Sequence, residues 1–455
     1  MTDLTARLRD VVGDAHVLAG EGNEDYAHDE ALGVEWQTPA FVVLPETTAD
    51  VAAILRLANE HSISVTARGS GTGLSGAATP VPGGIVVSFE RMNRVLEIDE
   101  ANQVAVVQPG VTLAELDEVT AAHGLVYPVY PGEYSASLGG NVATNAGGMR
   151  AVKYGVTRHQ VLGLEAVLPT GEVIRSGGRF VKGSTGYDLT QLITGSEGTL
   201  ALVTEATLRL YPRPAHQATV LAPFRTLDEV MDAVPRIVAS GIGPLILEYI
   251  DMLTMAGMQK NLGVEIGVPA AVQEQTLAYL VVMMENSRED RLEEDVHQLA
   301  TQVAELGAID VYVLPNASAV ALIEAREKAF WLAKGAGAHD IVDVVVPRAS
   351  ITTFMKDVQR IAQESGTFVA GCGHAGDGNV HMSIFQADDE LRRATMTRLF
   401  EAGMALGGVI SGEHGLGRTK RKYWLELEDP VKVELMRRIR TAFDPNGILN
   451  PGVVL

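Results

Sequence analysis

SVTARGSGTGLSGAATPVPGGIVVSF, residues 64–89, reads as strand, glycine loop, strand. Within it Gly71-Thr72-Gly73-Leu74-Ser75-Gly76 spells G-x-G-x-x-G, the spacing of a dinucleotide-binding turn. Such a turn must open a helix whose N-terminus receives the pyrophosphate. Here Pro80, Pro82 and a second strand follow, so the Rossmann reading fails, and the lysine of a phosphate-binding P-loop is missing too. What remains is a loop whose glycines let backbone N–H groups approach a phosphate, with Arg68 as counter-charge. A glycine-rich hairpin loop without a ligand is the other reading.

Working outward, residues 45–59 predict a helix capped by Thr48, with Val51, Ile54, Leu55 and Ala58 on one face, and residues 4–13 a shorter one. Downstream, PGEYSASLGGNVATNAGGMRAVKYG, residues 131–155, is dominated by Gly139, Gly140, Ala143, Ala146, Gly147 and Gly148. A segment with so little side chain to bury cannot build a core, so its backbone is expected to pack against something large and flat. A cofactor is the natural candidate. A third small-residue patch, GSEGTL, covers residues 195–200.

The densest chemistry lies later. GHAGDGNVH, residues 373–381, sets His374 and His381 on either side of a tight turn that opens into a strand, and SGEHG, residues 411–415, adds Glu413 and His414. Imidazole and carboxylate are the usual ligands of zinc and similar cations. Hydrogen-bonded turn histidines are the plainer alternative. From 215 to 405, strands at 217–222, 244–250, 277–284, 309–314, 341–346 and 367–370 alternate with helices. In one of these helices Ser287 and Asp290 suggest a capping box ahead of Leu292, Val296, Leu299 and Val303. Such alternation implies layered α+β packing. The run Arg418, Lys420, Arg421, Lys422 reads as a solvated turn.

At 455 residues the chain exceeds what one core usually serves. A net charge of −21 argues against nucleic acid as a partner. The single cysteine, Cys372, excludes an internal disulfide and a cysteine-ligated iron–sulfur cluster. No run approaches the ~18 apolar residues of a membrane span, and the N-terminus lacks a signal-peptide core. The chain therefore reads as cytoplasmic, with peripheral docking at the inner membrane face left open.

LGGNVATNAGG, KYGVTR, LPTGEVI, VKGSTGYDL, GSEGTLALVTEATLRL, GHAGDGNVH, SGEHGLG and DPNGILNPG, in this order, resemble the FAD-linked D-2-hydroxyacid dehydrogenases. That group includes D-lactate dehydrogenases, glycolate oxidase catalytic subunits and D-2-hydroxyglutarate dehydrogenases, within the vanillyl-alcohol oxidase and p-cresol methylhydroxylase superfamily. The resemblance implies an α+β chain with a two-part FAD-binding domain of the p-cresol methylhydroxylase type over 1–214, a ferredoxin-like substrate cap over 215–405, and a C-terminal segment, 406–455, returning to the FAD domain. It implies that FAD lies on Arg68, Gly69, Ser70, Gly71, Thr72, Gly73 and Leu74, then on Pro131, Ser137, Gly139, Gly140, Asn141, Thr144, Asn145, Gly147, Gly148 and Tyr154. Glu197, Gly198, Val203 and Asn450 complete the set. The flavin is expected to be non-covalent, since Ser70 and Thr72 stand where covalent relatives have histidine.

By the same resemblance His374, His381 and Glu413 hold a divalent metal, zinc or manganese, Arg326 grips the substrate carboxylate, and His414 is the base. The implied reaction is oxidation of a small D-2-hydroxy acid to the 2-oxo acid, with hydride passing to flavin N5 and electrons to a quinone, an electron-transfer flavoprotein or a partner subunit. D-Lactate or glycolate is favoured, because Ile341 stands about where D-2-hydroxyglutarate dehydrogenases offer a lysine to the second carboxylate. D-2-Hydroxyglutarate oxidation and a non-catalytic relay subunit are the alternatives, and a homodimer stays open. From residues alone, Arg326 between Glu324 and Glu327 reads equally well as a surface ion pair.

Overall fold

In a computed structural model that describes residues 2–455, the chain forms two compact units. The first comprises Met1–Ala146, Val156–Pro212 and Glu413–Leu455, and the second Gly147–Gly155 and Arg213–Gly412.

The first unit contains two principal sheets. The smaller has strand order Val17–Ala19, Phe41–Val43, Ile85–Ser88, Val65–Arg68, antiparallel at its first pair and parallel at the other two. Helix Thr48–Glu60 supplies part of its core through Val51, Ile54, Leu55 and Ala58, the face expected from the helical period. Full burial of each such Ile or Leu contributes about 1.5–3 kcal/mol. The cap is Thr47 and not Thr48: Thr47 Oγ1 accepts from Asp50 N at 3.2 Å and Asp50 Oδ2 accepts from Thr47 N at 3.0 Å. The Thr48 hydroxyl instead donates to Glu165 at 2.5 Å. The chain's end joins this sheet through a bridge between Val65 and Leu449. The larger sheet is antiparallel, ordered Val95–Asp99, Val104–Val107, Leu202–Arg209, Val161–Val167, Val173–Gly177.

The small-residue stretch is more than a surface for a ligand. It contains the helix Leu138–Thr144, and Leu138 and Val142 enter the core of the larger sheet. A Cβ on Gly139 would lie 2.5 Å from the Pro109 Cβ, so this glycine is required by protein packing.

The second unit is built on a seven-stranded antiparallel sheet, ordered Tyr312–Leu314, His216–Phe224, Ala278–Asn286, Ile246–Asp251, Phe368–Gly373, Asn379–Phe385, Asp340–Val345. Helices Leu227–Ala239, Glu289–Glu305, Ile351–Ser365 and Asp389–Ala405 pack against it. In Glu289–Glu305 the expected Ser287–Asp290 box does not form: Arg288 is the N-cap, and its guanidinium Nε draws the Asp290 carboxylate to 2.9 Å. A capping box stands instead at helix Leu227–Ala239, between Thr226 and Glu229.

Two boundaries differ from the sequence expectation. Residues 147–155 belong to the second unit, where Lys153 Nζ and the Tyr154 hydroxyl meet Glu285 Oε1 at 2.9 and 2.6 Å. Residues 406–412 stay there too, because Gly412 N donates to Asp343 O at 2.9 Å and Val345 N to Val409 O at 3.1 Å.

Candidate active site

In the first unit a cleft is lined by Ala67, Gly69, Phe89, Pro109, Gly139, Gly140, Ala143, Ile193, Ser196, Gly198, Ala201, Leu202 and Val203. Gly69, Gly139, Gly140, Gly198 and Val203 were expected from the sequence. Ala143 and Ser196 lie in the small-residue stretches singled out in the sequence, and the other six were missed, because an apolar residue in a strand or turn carries no chemical signal of its own. The lining consists mainly of backbone and small side chains, as a flat or extended ligand requires. Among the described residues, the buried Asn141 Nδ2 and Ser88 Oγ have no hydrogen-bond partner within the protein. Orphaned polar atoms of this kind are costly unless a ligand or water serves them. The backbone and small side chains that line the cleft fit a flat cofactor such as FAD.

The remaining expected contacts have protein duties. Arg68 is buried, its Nη1 bonds His28 O at 2.5 Å, and burial lowers its pKa against the pull of Asp29. Its guanidinium is thus already held by the 26–29 loop, whatever it adds at a phosphate. Ser70, which is exposed, and the half-buried Gly71, Thr72, Gly73 and Leu74 follow it in the loop, and Pro131 is half-buried as well. Ser137 caps the helix by accepting from Gly140 N at 3.3 Å, and the Thr144 hydroxyl donates to Gly140 O at 3.1 Å. Asn145 closes the helix in the left-handed region and accepts from Arg158 N at 2.9 Å. Gly147, Gly148 and Tyr154 lie in the second unit.

The Asn450 amide is consumed by the protein, donating to Ala77 O at 2.9 Å and Glu197 O at 2.8 Å. The Glu197 carboxylate accepts from Leu416 N and Gly417 N, each at 2.8 Å, directly after the Glu413-His414 pair. Burial pushes this carboxyl up to about 7, opposed by those two N–H groups and by Lys420. Only glycine suits position 417: φ is +46° and a Cβ would sit 2.0 Å from Ser75 O. Only Lys422 of the basic run is solvated: Lys420 is buried and the Arg418 guanidinium bonds Thr79 O at 3.1 Å.

In the second unit the strand pairing Cys372↔His381 brings the two ends of the turn together. His374 and His381 rings stand 4.8 Å apart at 79°, and both side chains are buried. Two acids that sequence reasoning missed organise them. Glu248 Oε1 lies 2.6 Å from His374 Nδ1, and Glu248 Oε2 lies 2.7 Å from Arg326 Nη2. Arg326 is therefore a buried residue paired with a distant acid, not a surface partner of Glu324 or Glu327. Asp343, the ladder partner of His381, accepts from Asn379 Nδ2 at 2.9 Å, Ser411 Oγ at 2.8 Å and Gly412 N at 3.1 Å. The available signal was a lone acid inside an apolar strand, ILEYI at 246–250 and IVDVVV at 341–346. Burial pushes the Cys372 thiol up to about 12, which leaves it inert.

This donor set suits a cation. A histidine whose Nδ1–H is donated to a carboxylate keeps its Nε2 lone pair for a metal. His381 offers a second imidazole, and ligand atoms of the two histidines lie within 4.8 Å of one another. Glu413 follows Gly412 by one peptide bond and begins the return to the first unit, with His414 after it.

Fold and cleft together define a two-domain flavoprotein of the p-cresol methylhydroxylase type. A family model described as FAD binding domain matches residues 39–177, and one described as FAD linked oxidases, C-terminal domain, matches residues 213–454. An uncharacterized FAD-linked oxidoreductase of Mycobacterium tuberculosis is 59% identical over 455 residues, covering 100% of this chain and 99% of its own. A D-lactate dehydrogenase of Anaerostipes hadrus is 36% identical, covering 99% and 97%. The solved 4-ethylphenol oxidase from Gulosibacter chungangensis superposes with a TM-score of 0.81 at 20% identity, over 100% of this chain and 96% of that one, a likeness of fold. The chain belongs to the FAD-linked D-2-hydroxyacid dehydrogenase family and is an oxidoreductase. No helix among its described residues is long and apolar enough to cross a membrane.

Proposed function

We propose that the protein oxidises a small D-2-hydroxy acid, D-lactate or glycolate, to the corresponding 2-oxo acid with the help of a divalent cation, zinc or manganese. The observation that carries this reading is the buried group His374, Glu248 and Arg326, which sets a metal-type imidazole and a guanidinium on one carboxylate. When bound, FAD supplies the acceptor for the α-hydrogen and its electron pair, and the cation supplies a Lewis acid that lowers the pKa of the substrate hydroxyl. His374, His381 and Glu413 hold the cation. Arg326 presents its planar fork to the substrate carboxylate, a pairing that lysine would not match. His414 takes the hydroxyl proton as general base. The substrate thus loses one proton to the protein and one hydrogen with two electrons to the cofactor, which balances hydroxy acid against oxo acid. Reoxidation falls to an external acceptor: a quinone, a flavoprotein carrier or a partner subunit. The buried, apolar Ile341 supports a monocarboxylate over a dicarboxylate.

The test is anaerobic bleaching of the yellow protein by D- and L-lactate, glycolate and D-2-hydroxyglutarate, with and without chelator. Bleaching by D-lactate or glycolate that chelator abolishes is expected. A yellow protein that no acid bleaches, even with zinc or manganese added, would sink the assignment.

A further inference from the structure

Strand Ile246–Asp251 is the middle strand of the seven, and every residue from 246 to 250 is buried. An acid there faces a heavy desolvation penalty, of several kcal/mol, unless its oxygens are matched by donors. Glu248 has no exposed surface, and its two oxygens go to two different groups. Oε1 bonds His374 Nδ1 at 2.6 Å, and Oε2 forms an ion pair with Arg326 Nη2 at 2.7 Å that is not aligned as a hydrogen bond.

We propose that Glu248 is a positioning residue that couples the grip on the substrate carboxylate to the grip on the metal, holding Arg326 and His374 with one carboxylate. This deepens the proposed function and rests on its roles for those two residues. Glu248 meets His374 and Arg326 and therefore acts through them. Accepting the Nδ1 proton fixes the tautomer of His374 and raises the basicity of the opposite nitrogen. Pairing with Arg326 selects one orientation of a long side chain at the end of helix Asn316–Glu327, which otherwise samples several. Because a rigid strand carries the carboxylate, the two orientations are set relative to each other.

The decisive variant is Glu248→Gln, compared with wild-type holoprotein. Glutamine has nearly the same shape, but it offers one acceptor oxygen and places an N–H₂ against whichever donor remains. Flavin content and melting curve come first. Next come zinc and manganese retention against graded EDTA, and the affinity for oxalate, a non-reacting dicarboxylate, read from the flavin spectrum. KM and kcat for the acid that bleaches the wild type complete the set. The expected result is normal flavin content, metal lost at about 10–100-fold lower chelator, and KM and oxalate dissociation constant both raised by about 10-fold or more, a change that an altered fold alone would not confine to these readouts. Wild-type metal retention, or a metal defect with unchanged oxalate affinity, overturns the coupling.

Should Glu248→Gln fail to keep its flavin, Glu248→Asp carries the test. It retains the charge but is one methylene too short to reach both partners. At least one of the two affinities should fall by about 10-fold, and two unchanged affinities overturn the proposal. If no hydroxy acid bleaches the wild type, the functional reading fails, yet metal retention and oxalate affinity still decide the role of Glu248. Wild-type protein that holds neither metal nor oxalate overturns both.

Discussion

The cleft of the first unit and the histidine group of the second are built in opposite ways. The cleft is made by backbone brought close: Gly69, Gly139, Gly140 and Gly198 line it because they have nothing to put in the way. The histidine group is made by polar side chains from separate elements, with His374 and Arg326 both held by Glu248 of the middle strand and His381 beside Asp343 of the strand next to its own. A site of the first kind is encoded by what is missing over a short stretch, and it tolerates no added atoms. One of the second kind is encoded by pairs far apart in sequence, and it tolerates change of shape better than change of charge.

The sharpest break of this contrast is His381→Ala. Losing a metal ligand should cost more than the about 10–100-fold expected for an outer partner, with flavin content unchanged; steady-state oxidation of the best acid together with flavin absorbance checks both. Should activity survive, the second unit's group is not the catalytic centre. In the cleft, Gly139→Ala should do the reverse: the added methyl meets Pro109 and costs about 1–3 kcal/mol as overpacking. A lowered melting temperature and faster loss of FAD on dilution are expected, with metal retention unchanged.

Glu197 sharpens the comparison through pH. Its carboxyl is held at about 7 in the folded chain against an ordinary value of 4.5. The folded state therefore binds more proton than the unfolded state between those values, and the stability this represents is present below pH 4.5 and lost as pH rises through 7. The difference corresponds to about 3 kcal/mol. Denaturant titrations across this window should show wild-type stability falling with pH, and Glu197→Gln should remove most of that slope. An unaltered slope in the variant would show that Glu197 is not the titrating group. The smallest expected effect separates a formed cap from an unformed one: Thr226→Ala should lose about 1 kcal/mol, and Ser287→Ala under about 0.5 kcal/mol, both by chemical denaturation.

How far the sequence could be read follows the same division. The glycine loop after Arg68 was recognisable as not a Rossmann turn because the prolines behind it forbid the helix such a turn needs. The histidines stood out because two of them flank one turn. Glu248 and Asp343 escaped because an acid in a strand is ordinary until its burial is known, and burial is a property of the sheet. Arg326 was ambiguous for that reason: its neighbours in sequence are acids, but its partner lies on a strand some eighty positions earlier.

By itself the sequence determined the superfamily, the cofactor class and the short-range elements, since glycine spacing, helical period and turn residues act over a few bonds. Tertiary structure alone decided which acid orients His374, and that Arg418 and Lys420 after Gly417 are tied into the protein. It also decided that the 147–155 segment crosses to the second unit. Those outcomes depend on which groups lose water together, and desolvation is set by the packing of distant segments, which no local pattern records.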